Sequence, residues 1–343
     1  MKVLILANKD DAHALAVNKH LAEMKVDADF LRYEHFTHPH NRLIFQFGAD
    51  SPKCSLQRSD EQIDLQQYFS VWFRRPGRIT SQKFPEPWME TMVLQETNEA
   101  CIGVFNSIQC LWVNNPLANN RSGHKLDQLN MAMQVGMTIP ETLVTNDPQA
   151  ARDFYEKCDG QVIYKMLSES SNQSVPLFEG SAISTLPVRQ ADLKYMDQVR
   201  FAPHFFQKQI QKASDIRVTV VGKKVFAVRI YSQEGRGAVD WRLDYSVKME
   251  AMELPREISD ACVEFLRRFE LNYGAMDFCE TKDGQFIFIE NNNAGQYIWL
   301  EDRTELQISL ELAKLLSGIA EPVAPAPATR CGAVAVSDND RGE

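Results

Sequence analysis

Two short apolar segments near the C-terminus flank the residue pair Asp283–Gly284. An Asp-Gly pair between hydrophobic runs is among the strongest short-range signals for a β-hairpin. If the loop has two residues, Lys282 pairs with Gln285, and counting further outward places Asp277 directly opposite Glu290. Directly opposed residues share one face of a sheet, with Cβ atoms about 4.5–5.5 Å apart. The sequence therefore predicts a hairpin that brings two carboxylates face to face.

Two carboxylates at this distance repel each other unless a proton or a cation lies between them. Asn292 follows Glu290 by two residues, so its amide is predicted on the same face. Oxygen ligands of this kind suit Mg²⁺, and Asp277, Glu290 and Asn292 form the predicted metal site. The alternative is a solvated acidic edge, but apolar residues throughout the hairpin favour the metal site. These residues are Met276, Phe278, Phe286 and Phe288.

The composition is that of an ordinary folded protein. At 343 residues, with 44% hydrophobic and 24% charged residues, the chain has room for two or three packed units. A formal net charge of −9 argues against general binding to nucleic acid or to a membrane surface, which usually requires a basic field. Seven cysteines without a CxxC pair or zinc-like spacing argue against a disulfide framework or a structural zinc site.

The N-terminus carries no recognisable targeting signal. The apolar run in MKVLILANKD is too short for the core of a signal peptide and far too short to span a bilayer. We therefore expect a cytoplasmic protein in a reducing compartment.

The first unit is predicted over residues 1–118. Val3–Ala7 is a continuous apolar run, typical of a strand buried on both faces, and a helix is predicted over 12–24. A strand over 68–74 and a long helix over 88–108 follow, before a polar loop with the sequence NNPLANNRSG. This alternation of strands and helices indicates a small α/β domain with a parallel sheet.

Two further units and a tail are predicted, with boundaries at 119–204, 205–318 and 319–343. The C-terminal half has α+β character, because its third unit contains two hairpins separated by a helix over 257–270. The tail is rich in Pro and Ala and then charged, which is typical of disorder.

Two lysines occupy positions where a positive charge is unfavourable unless a negatively charged group lies nearby. Lys165 lies in the apolar strand VIYKML, where an unpaired ammonium group is unfavourable. Lys125 begins a helix, where a cation opposes the helix dipole unless an anion such as phosphate binds there. A snorkelling lysine and an exposed lysine are the respective alternatives. Neither GxxxxGK[ST] nor GxGxxG occurs, which disfavours the two commonest nucleotide-binding motifs.

Four arginines are candidates for contacting a phosphate or a carboxylate. Arg217 and Arg229 lie on the two arms of a hairpin that turns at Gly222–Lys223. Counting from that turn places the two arginines on opposite faces, so at most one of them is catalytic by geometry, and which one is left open. Arg74 and Arg75 end a buried strand, where open α/β sheets bind ligands. A substrate-carboxylate site and a structural salt bridge are both open there.

The histidines show no HExxH spacing, and we interpret them as surface or loop residues. They are His13, His20, His35, His38, His40, His124 and His204.

In the order of these segments the chain resembles the ATP-grasp ligases, and more narrowly the graspetide (microviridin-type) peptide maturases. The segments that carry the resemblance include VWFRRP, WVNNPLANN, GMTIPETLVTNDP, VIYKML, the QKQI segment before DIRVTVVG, GAMDF, and FIENNN followed by AGQYIWLED. The resemblance covers about residues 1–318. It implies an ATP-grasp fold with an N-terminal pre-ATP-grasp α/β domain, a central domain and a C-terminal ATP-grasp domain.

The resemblance also implies roles for individual residues, with ATP and Mg²⁺ as cofactors. Residues that match the ATP phosphate, magnesium and acyl-phosphate positions are Lys125 and Lys165, then Asp277, Glu290 and Asn292, then Arg217 and Arg229. The hinge that contacts adenine through its backbone matches Gln207, Lys208, Gln209 and Ile210. Lys208 stands where many relatives carry an acidic residue, which leaves side-chain contacts in the hinge open.

The family binds an N-terminal leader helix of a precursor peptide, and relatives suggest a homodimer. The resemblance places leader binding at a helix over 191–200, where Asp192 or Asp197 would pair with a leader arginine. The implied function is ATP-dependent macrocyclisation of that peptide through ester or amide bonds. The alternatives are an amino-acid ligase acting on a protein C-terminus or a small metabolite, and a nucleotide-binding scaffold without turnover.

Overall fold

The computed structural model describes residues 1–48, 53–58, 61–167, 185–234, 241–244 and 246–324. The predicted tail and the polar segment after Leu167 lie mostly outside these residues. None of the described helices has the length and apolar character needed to cross a membrane.

The N-terminal unit is built on a parallel sheet, as predicted, and its four strands lie in the order β2-β1-β6-β7. Its elements are β1 Lys2–Ala7, α1 Ala12–Glu23, β2 Asp27–Leu31, α2 Glu34–Thr37, β3 Arg42–Gln46, β4 Lys53–Arg58, β5 Glu61–Asp64, β6 Ser70–Arg75, α3 Pro87–Ser107 and β7 Leu111–Val113. The strands β3, β4 and β5 form a small antiparallel sheet that the sequence analysis did not predict.

The polar segment NNPLANNRSG is helical where a loop was predicted. Helix α4, Pro116–Ser122, begins after Asn115, whose side chain accepts a hydrogen bond from the N–H of Leu117 at 2.9 Å. Proline at the first helical position and asparagine as the cap are favourable start signals, and they outweigh the loop-like composition. The predicted boundary at residue 118 falls inside this helix.

The central region forms an antiparallel sheet in the order β10-β9-β11-β8. Its elements are α5 Lys125–Gln134, β8 Thr142–Thr145, α6 Pro148–Lys157, β9 Val162–Lys165, β10 Thr185–Pro187, a 3₁₀ segment Gln190–Phe201 and β11 His204–Lys208. Strand β11 pairs with both β8 and β9, so this sheet continues past the predicted boundary between residues 204 and 205.

The C-terminal unit forms a five-stranded antiparallel sheet in the order β14-β13-β12-β15-β16. Its elements are β12 Lys212–Val221, β13 Lys224–Ile230, β14 Met249–Met252, α7 Arg256–Arg268, β15 Tyr273–Thr281, β16 Phe286–Asn292, α8 Ile298–Glu301 and α9 Ile308–Leu316. The two predicted hairpins, β12–β13 and β15–β16, are confirmed with α7 between them.

Helix α9 returns the chain to the N-terminal unit. Leu312 and Leu316 of α9 belong to the same apolar cluster as Val17 and Leu21 of α1. The first unit is therefore packed directly against the C-terminal unit, which carries the carboxylate pair.

Candidate active site

The hairpin β15–β16 places Asp277 directly opposite Glu290, as predicted, but its loop differs from the prediction. Thr281 donates its N–H to the carbonyl of Gln285 at 2.9 Å, so the loop has three residues and not two. The register then shifts by one residue next to Asp277, where β16 contains a bulge. The prediction of a two-residue loop was wrong, and the bulge restores the expected carboxylate pair.

Arg217 of β12 faces Asp277 of β15 in the next strand pair. Its Nη1 donates to both carboxylate oxygens of Asp277 at 3.0 Å, and its Nη2 donates to the carbonyl of Gln296 at 3.3 Å. Burial raises the pKa of Asp277, with a further contribution from the Glu290 carboxylate, while Arg217 opposes the rise. A buried carboxyl group next to a second carboxylate favours the binding of a cation between them.

Arg229 lies on the other face of the same sheet. The turn at Gly222–Lys223 has two residues as predicted, and Arg229 is directly opposite Ile216, the neighbour of Arg217. A bidentate ion pair joins the Arg229 guanidinium to Glu280, with N–O distances of 2.9 and 2.7 Å. The structure therefore does not bring Arg229 to the Asp277–Glu290 pair.

Lys165 is the last residue of β9 and is 7% exposed. Burial lowers the pKa of Lys165, and the nearby Glu290 carboxylate partly opposes this. Lys125, at the first position of α5, adds a positive charge close enough to contribute to the lowering. In the described part of the chain no hydrogen bond or ion pair satisfies the Lys165 ammonium group. The two predicted lysines thus lie in one region, and Lys165 forms no ion pair with any described residue.

The segment Gln207–Ile210 includes the last two residues of β11 and the two residues after it. The N–H groups of Lys208 and Gln209 donate to the carbonyls of Glu141 and Gln161, at 2.8 and 2.9 Å. The N–H of Ile210 is the donor in no hydrogen bond among the described residues. Gln207 is buried, with its Oε1 unpaired, and the Lys208 ammonium lies 3.5 Å from Glu141.

Asn292 ends β16 on the same face as Glu290, and its Oδ1 accepts a hydrogen bond from the N–H of Ala294 at 3.1 Å. The site therefore offers two carboxylates and one amide oxygen. This oxygen-only donor set fits Mg²⁺, which takes few protein ligands and retains waters and phosphate oxygens. No group of three or more His, Cys, Asp or Glu residues suited to a metal ion occurs within the described ranges.

The sequence analysis missed one arginine of this site. Arg242 lies in the 3₁₀ segment Trp241–Leu243, and its Nη1 is 3.8 Å from Glu290 Oε1. Its only sequence signal is a basic residue in the connection between β13 and β14, and nothing in the spacing places that connection over β16.

Arg74 is 2% exposed and connects the N-terminal unit to the chain after Asn292. Its Nη1 donates to the carbonyls of Ala294 and Gly295, the latter at 3.2 Å, and its Nε lies 3.6 Å from Asp11. Arg75 is exposed and donates from Nη2 to the carbonyl of Ala294 at 3.2 Å. Both arginines therefore make backbone contacts at this edge of the sheet.

The segment predicted to bind a leader is helical, as a 3₁₀ segment over Gln190–Phe201. Asp192 accepts a hydrogen bond from the N–H of Arg189 at 2.8 Å and so caps this segment. The side chain of Asp197 is 69% exposed and lies 3.2 Å from Arg152 of α6. Both aspartates are exposed, and they differ in their contacts, since Asp192 accepts a backbone hydrogen bond and Asp197 lies beside Arg152.

Comparison with known proteins places this site in context. Residues 2–121 match the family model of the MvdD pre-ATP grasp domain. The structure is similar to the Chryseobacterium gregarium RiPP-associated ATP-grasp ligase in complex with ADP and a leader and core peptide, with a TM-score of 0.85, 27% identity, and coverage of 95% of this chain and 99% of that one. It is also similar to the macrocyclase MdnC bound with precursor peptide MdnA from Microcystis aeruginosa MRC, with a TM-score of 0.80, 28% identity, and coverage of 92% and 99%.

A more distant similarity is to a curated protein described as a probable alpha-L-glutamate ligase of Vibrio atlanticus. The two are 24% identical over 200 residues, which cover 57% of this chain and 64% of that relative. The predicted ATP-grasp fold with an N-terminal pre-ATP-grasp domain is confirmed by the comparisons with solved structures and with the family model.

Proposed function

We propose that this chain is an ADP-forming ligase that macrocyclises a ribosomally made precursor peptide, because it is similar to RiPP-associated ATP-grasp ligases and its residues 2–121 match the MvdD pre-ATP grasp domain. In this proposal an Asp or Glu side chain of the peptide attacks the γ-phosphate of ATP, which gives an acyl phosphate and ADP. A Ser or Thr hydroxyl, or a Lys amine, of the same peptide then displaces phosphate and forms a side-chain ester or amide.

The observation that supports this proposal most is the buried Lys165, which forms no ion pair within the described ranges and lies near the opposed carboxylates Asp277 and Glu290. The phosphates of ATP would supply an anion for Lys165, with Lys125 as the second cation at a helix start. Asp277, Glu290 and Asn292 would hold Mg²⁺, which neutralises phosphate charge when bound.

Arg217 is the arginine that we assign to the reacting centre. It lies on the face of the carboxylate pair, whereas Arg229 is paired with Glu280 on the opposite face. Its Nη1 is fixed by Asp277 and its Nε has no hydrogen-bond partner in the described region. A guanidinium that is oriented in advance can stabilise negative charge as it develops on the transferred phosphoryl group.

The remaining predicted residues have roles in binding. The N–H of Ile210, which donates to no acceptor among the described residues, fits a hinge, Gln207–Ile210, that contacts adenine through its backbone. Arg75, the exposed member of the pair with Arg74, is the better placed for a peptide carboxylate. We propose that the 3₁₀ segment Gln190–Phe201 binds the leader, with Asp197 at its surface, and that the enzyme acts as a homodimer.

The direct test uses a short peptide rich in Thr, Ser, Asp and Glu, encoded next to this protein, with the purified enzyme, ATP and Mg²⁺. We expect ADP formation and the loss of one water mass per ring, and neither with the K165M variant. Mild alkali would restore the original mass of an ester product and leave an amide unchanged. An unmodified peptide with no ADP formed would contradict the proposal.

The similarity to a probable glutamate ligase favours one alternative, an amino-acid ligase. Such an enzyme would increase the mass of its acceptor by whole amino acids in the presence of free glutamate. The same mass measurement therefore separates the two activities, because one removes mass and the other adds it.

A further inference from the structure

We propose that His13 is a positioning residue that holds the segment Ala294–Ile298 in place and thereby fixes Arg217 and Asn292 in the candidate active site. The catalytic consequence of this inference rests on the proposed function. The contact of His13 with the segment can be measured without turnover. His13 was predicted to be a surface or loop residue, and that prediction was wrong, since the residue is 7% exposed.

The imidazole of His13 accepts hydrogen bonds from a distant part of the chain. Its Nε2 accepts from the N–H of Tyr297 at 3.0 Å and from the N–H of Ile298 at 3.3 Å. These amides lie at the start of α8, where N–H groups have no partner within the helix. The ring also packs edge-to-face on Tyr297, with centroids 4.7 Å apart.

Two donors at Nε2 require that this nitrogen carry no proton, so the ring is neutral and protonated on Nδ1. Nδ1 lies 3.6 Å from Asp11 Oδ1. Burial is the main cause that lowers the pKa of His13, while Asp11 raises it and the charges of Arg74 and Arg75 lower it. The acceptor form is therefore the stable one near neutral pH.

Asp11 organises a second contact to the same segment. The Oδ1 that faces His13 also caps α1, by accepting from the N–H of Ala14 at 2.9 Å, and lies 3.6 Å from Arg74 Nε. Arg74 holds the carbonyl groups of residues 294 and 295, whereas His13 holds the amides of residues 297 and 298. The start of α1 and the end of β6 thus hydrogen-bond to one short segment, His13 at its backbone N–H groups and Arg74 at its backbone carbonyls.

The other side of this segment contacts the site. Arg217 donates to the carbonyl of Gln296 at 3.3 Å, and Asn292 accepts from the N–H of Ala294. There is no spare room, because a Cβ on Gly295 would lie 2.6 Å from Arg217 Nη2 and 2.3 Å from the Cβ of Ala275. A shift of the segment must therefore move the guanidinium and the amide ligand.

The test compares His13→Phe, which keeps a ring of similar size without the acceptor, with His13→Gln, which restores an acceptor oxygen. Hydrogen exchange of the full-length protein would report the protection of the amides at 297 and 298. We expect H13F to lower their protection at least tenfold, and H13Q to recover most of it. Acidification that protonates His13 should lower protection in the wild type and leave H13Q unaffected.

The second measurement is the affinity for ATP, with and without Mg²⁺. Mg²⁺ should increase the affinity of the wild type for ATP. We expect H13F to reduce this increase by a factor of at least five and to leave the affinity without Mg²⁺ unchanged. Unchanged amide protection in a folded H13F, or equal loss in H13F and H13Q, would overturn the proposal. If peptide cyclisation fails in the wild type while H13F still loosens the segment and weakens the Mg²⁺ effect, the proposed function is wrong and the positioning role stands.

Discussion

Lys165 illustrates a residue whose placement is unfavourable for the fold and useful for binding. It is buried, burial lowers its pKa, and it forms no ion pair in the part of the chain that the structure describes, although the Glu290 carboxylate partly opposes the lowering. An uncompensated buried cation destabilises a folded chain. The sequence signal was visible because a lysine in VIYKML violates the apolar pattern of its strand.

We expect Lys165→Met to raise the free energy of unfolding of the nucleotide-free protein by roughly 1–3 kcal/mol, the scale of an unpaired buried polar group. The folded pKa lies below that of the unfolded chain, so the unfolded state binds more protons between the two values and wild-type stability rises with pH there. The advantage of K165M should therefore shrink in alkaline solution.

Urea unfolding of both proteins at pH 7 and pH 10 measures this difference, and calorimetry measures ATP binding. K165M should bind ATP far more weakly in spite of its greater stability. A variant that is less stable than the wild type would show that Lys165 already has a favourable partner in the folded protein.

The two hairpin arginines allow a matched comparison at the same scale. Arg217→Lys keeps the charge but loses the second guanidinium nitrogen, which donates to the carbonyl of Gln296 while Nη1 contacts both oxygens of Asp277, and we expect ligase turnover to fall by about 10²–10³-fold. Arg229→Lys makes the same change on the opposite face, at the half-buried pair with Glu280, and should alter stability by less than about 1 kcal/mol with little effect on turnover.

Rates of ADP formation with peptide present, measured for both variants at saturating ATP, decide between the two positions. Comparable losses of turnover in the two variants would mean that the face of the sheet on which an arginine lies does not decide whether it is catalytic. A loss in R229K alone would reverse the assignment.

At the scale of elements, the sequence predicted the existence of the hairpin better than its details. The pairing of Asp277 with Glu290 was correct, yet the loop is one residue longer than counted and a bulge compensates. A bulge depends on local twist and on neighbouring strands, so counting from the turn cannot find it. The contact of Arg217 with Asp277 also escaped prediction, because it needs the pairing of β12 with β15, about sixty residues apart.

The loop of this hairpin makes a prediction of its own. Gly284 has a φ of +82°, and nothing lies within 4 Å of where its Cβ would be. Gly284→Ala should therefore destabilise by about 1–2 kcal/mol through backbone conformation alone. Gly103→Ala is the control, because Gly103 lies in α3 with equal space and the same change in a helix should stabilise by about 0.5–1 kcal/mol.

Thermal unfolding of the two glycine variants gives the sign of each effect. Neither variant should change nucleotide binding. Equal shifts in the same direction would show that the three-residue loop relaxes without strain and that the left-handed conformation does not set the register.

At the scale of the whole molecule, side-chain amides connect parts of the chain that the sequence shows as separate. Asn114, in the segment before α4, accepts hydrogen bonds from the N–H groups of Asn272 and Tyr273 and donates to the carbonyl of Tyr273. The asparagine-rich segment looked like a loop from its composition. Its actual role depends on partners almost 160 residues away, which no local pattern encodes.

Asn272 extends this connection to the last described residues. It is 2% exposed, its Nδ2 donates to the carbonyls of Trp112 and Ala324 at 3.0 and 2.8 Å, and its Oδ1 accepts from the N–H groups of Val323 and Ala324 at 2.8 and 2.9 Å. One side chain thus satisfies four backbone groups. Removing a partner of buried polar groups costs about 1–3 kcal/mol for each group left unsatisfied.

We therefore expect Asn272→Ala to lower the free energy of unfolding by about 3 kcal/mol or more. A chain ending at Pro322 should have a free energy of unfolding lower by roughly 2 kcal/mol, because both changes remove this hydrogen-bonded junction. A chain ending at residue 326 keeps Val323 and Ala324 and should unfold like the full-length protein. The two destabilising changes combined should cost less than their sum, since they break the same contacts. Denaturant unfolding of these four chains and the full-length wild type measures this coupling, and strict additivity would mean that Val323 and Ala324 are stabilised by packing and not by Asn272.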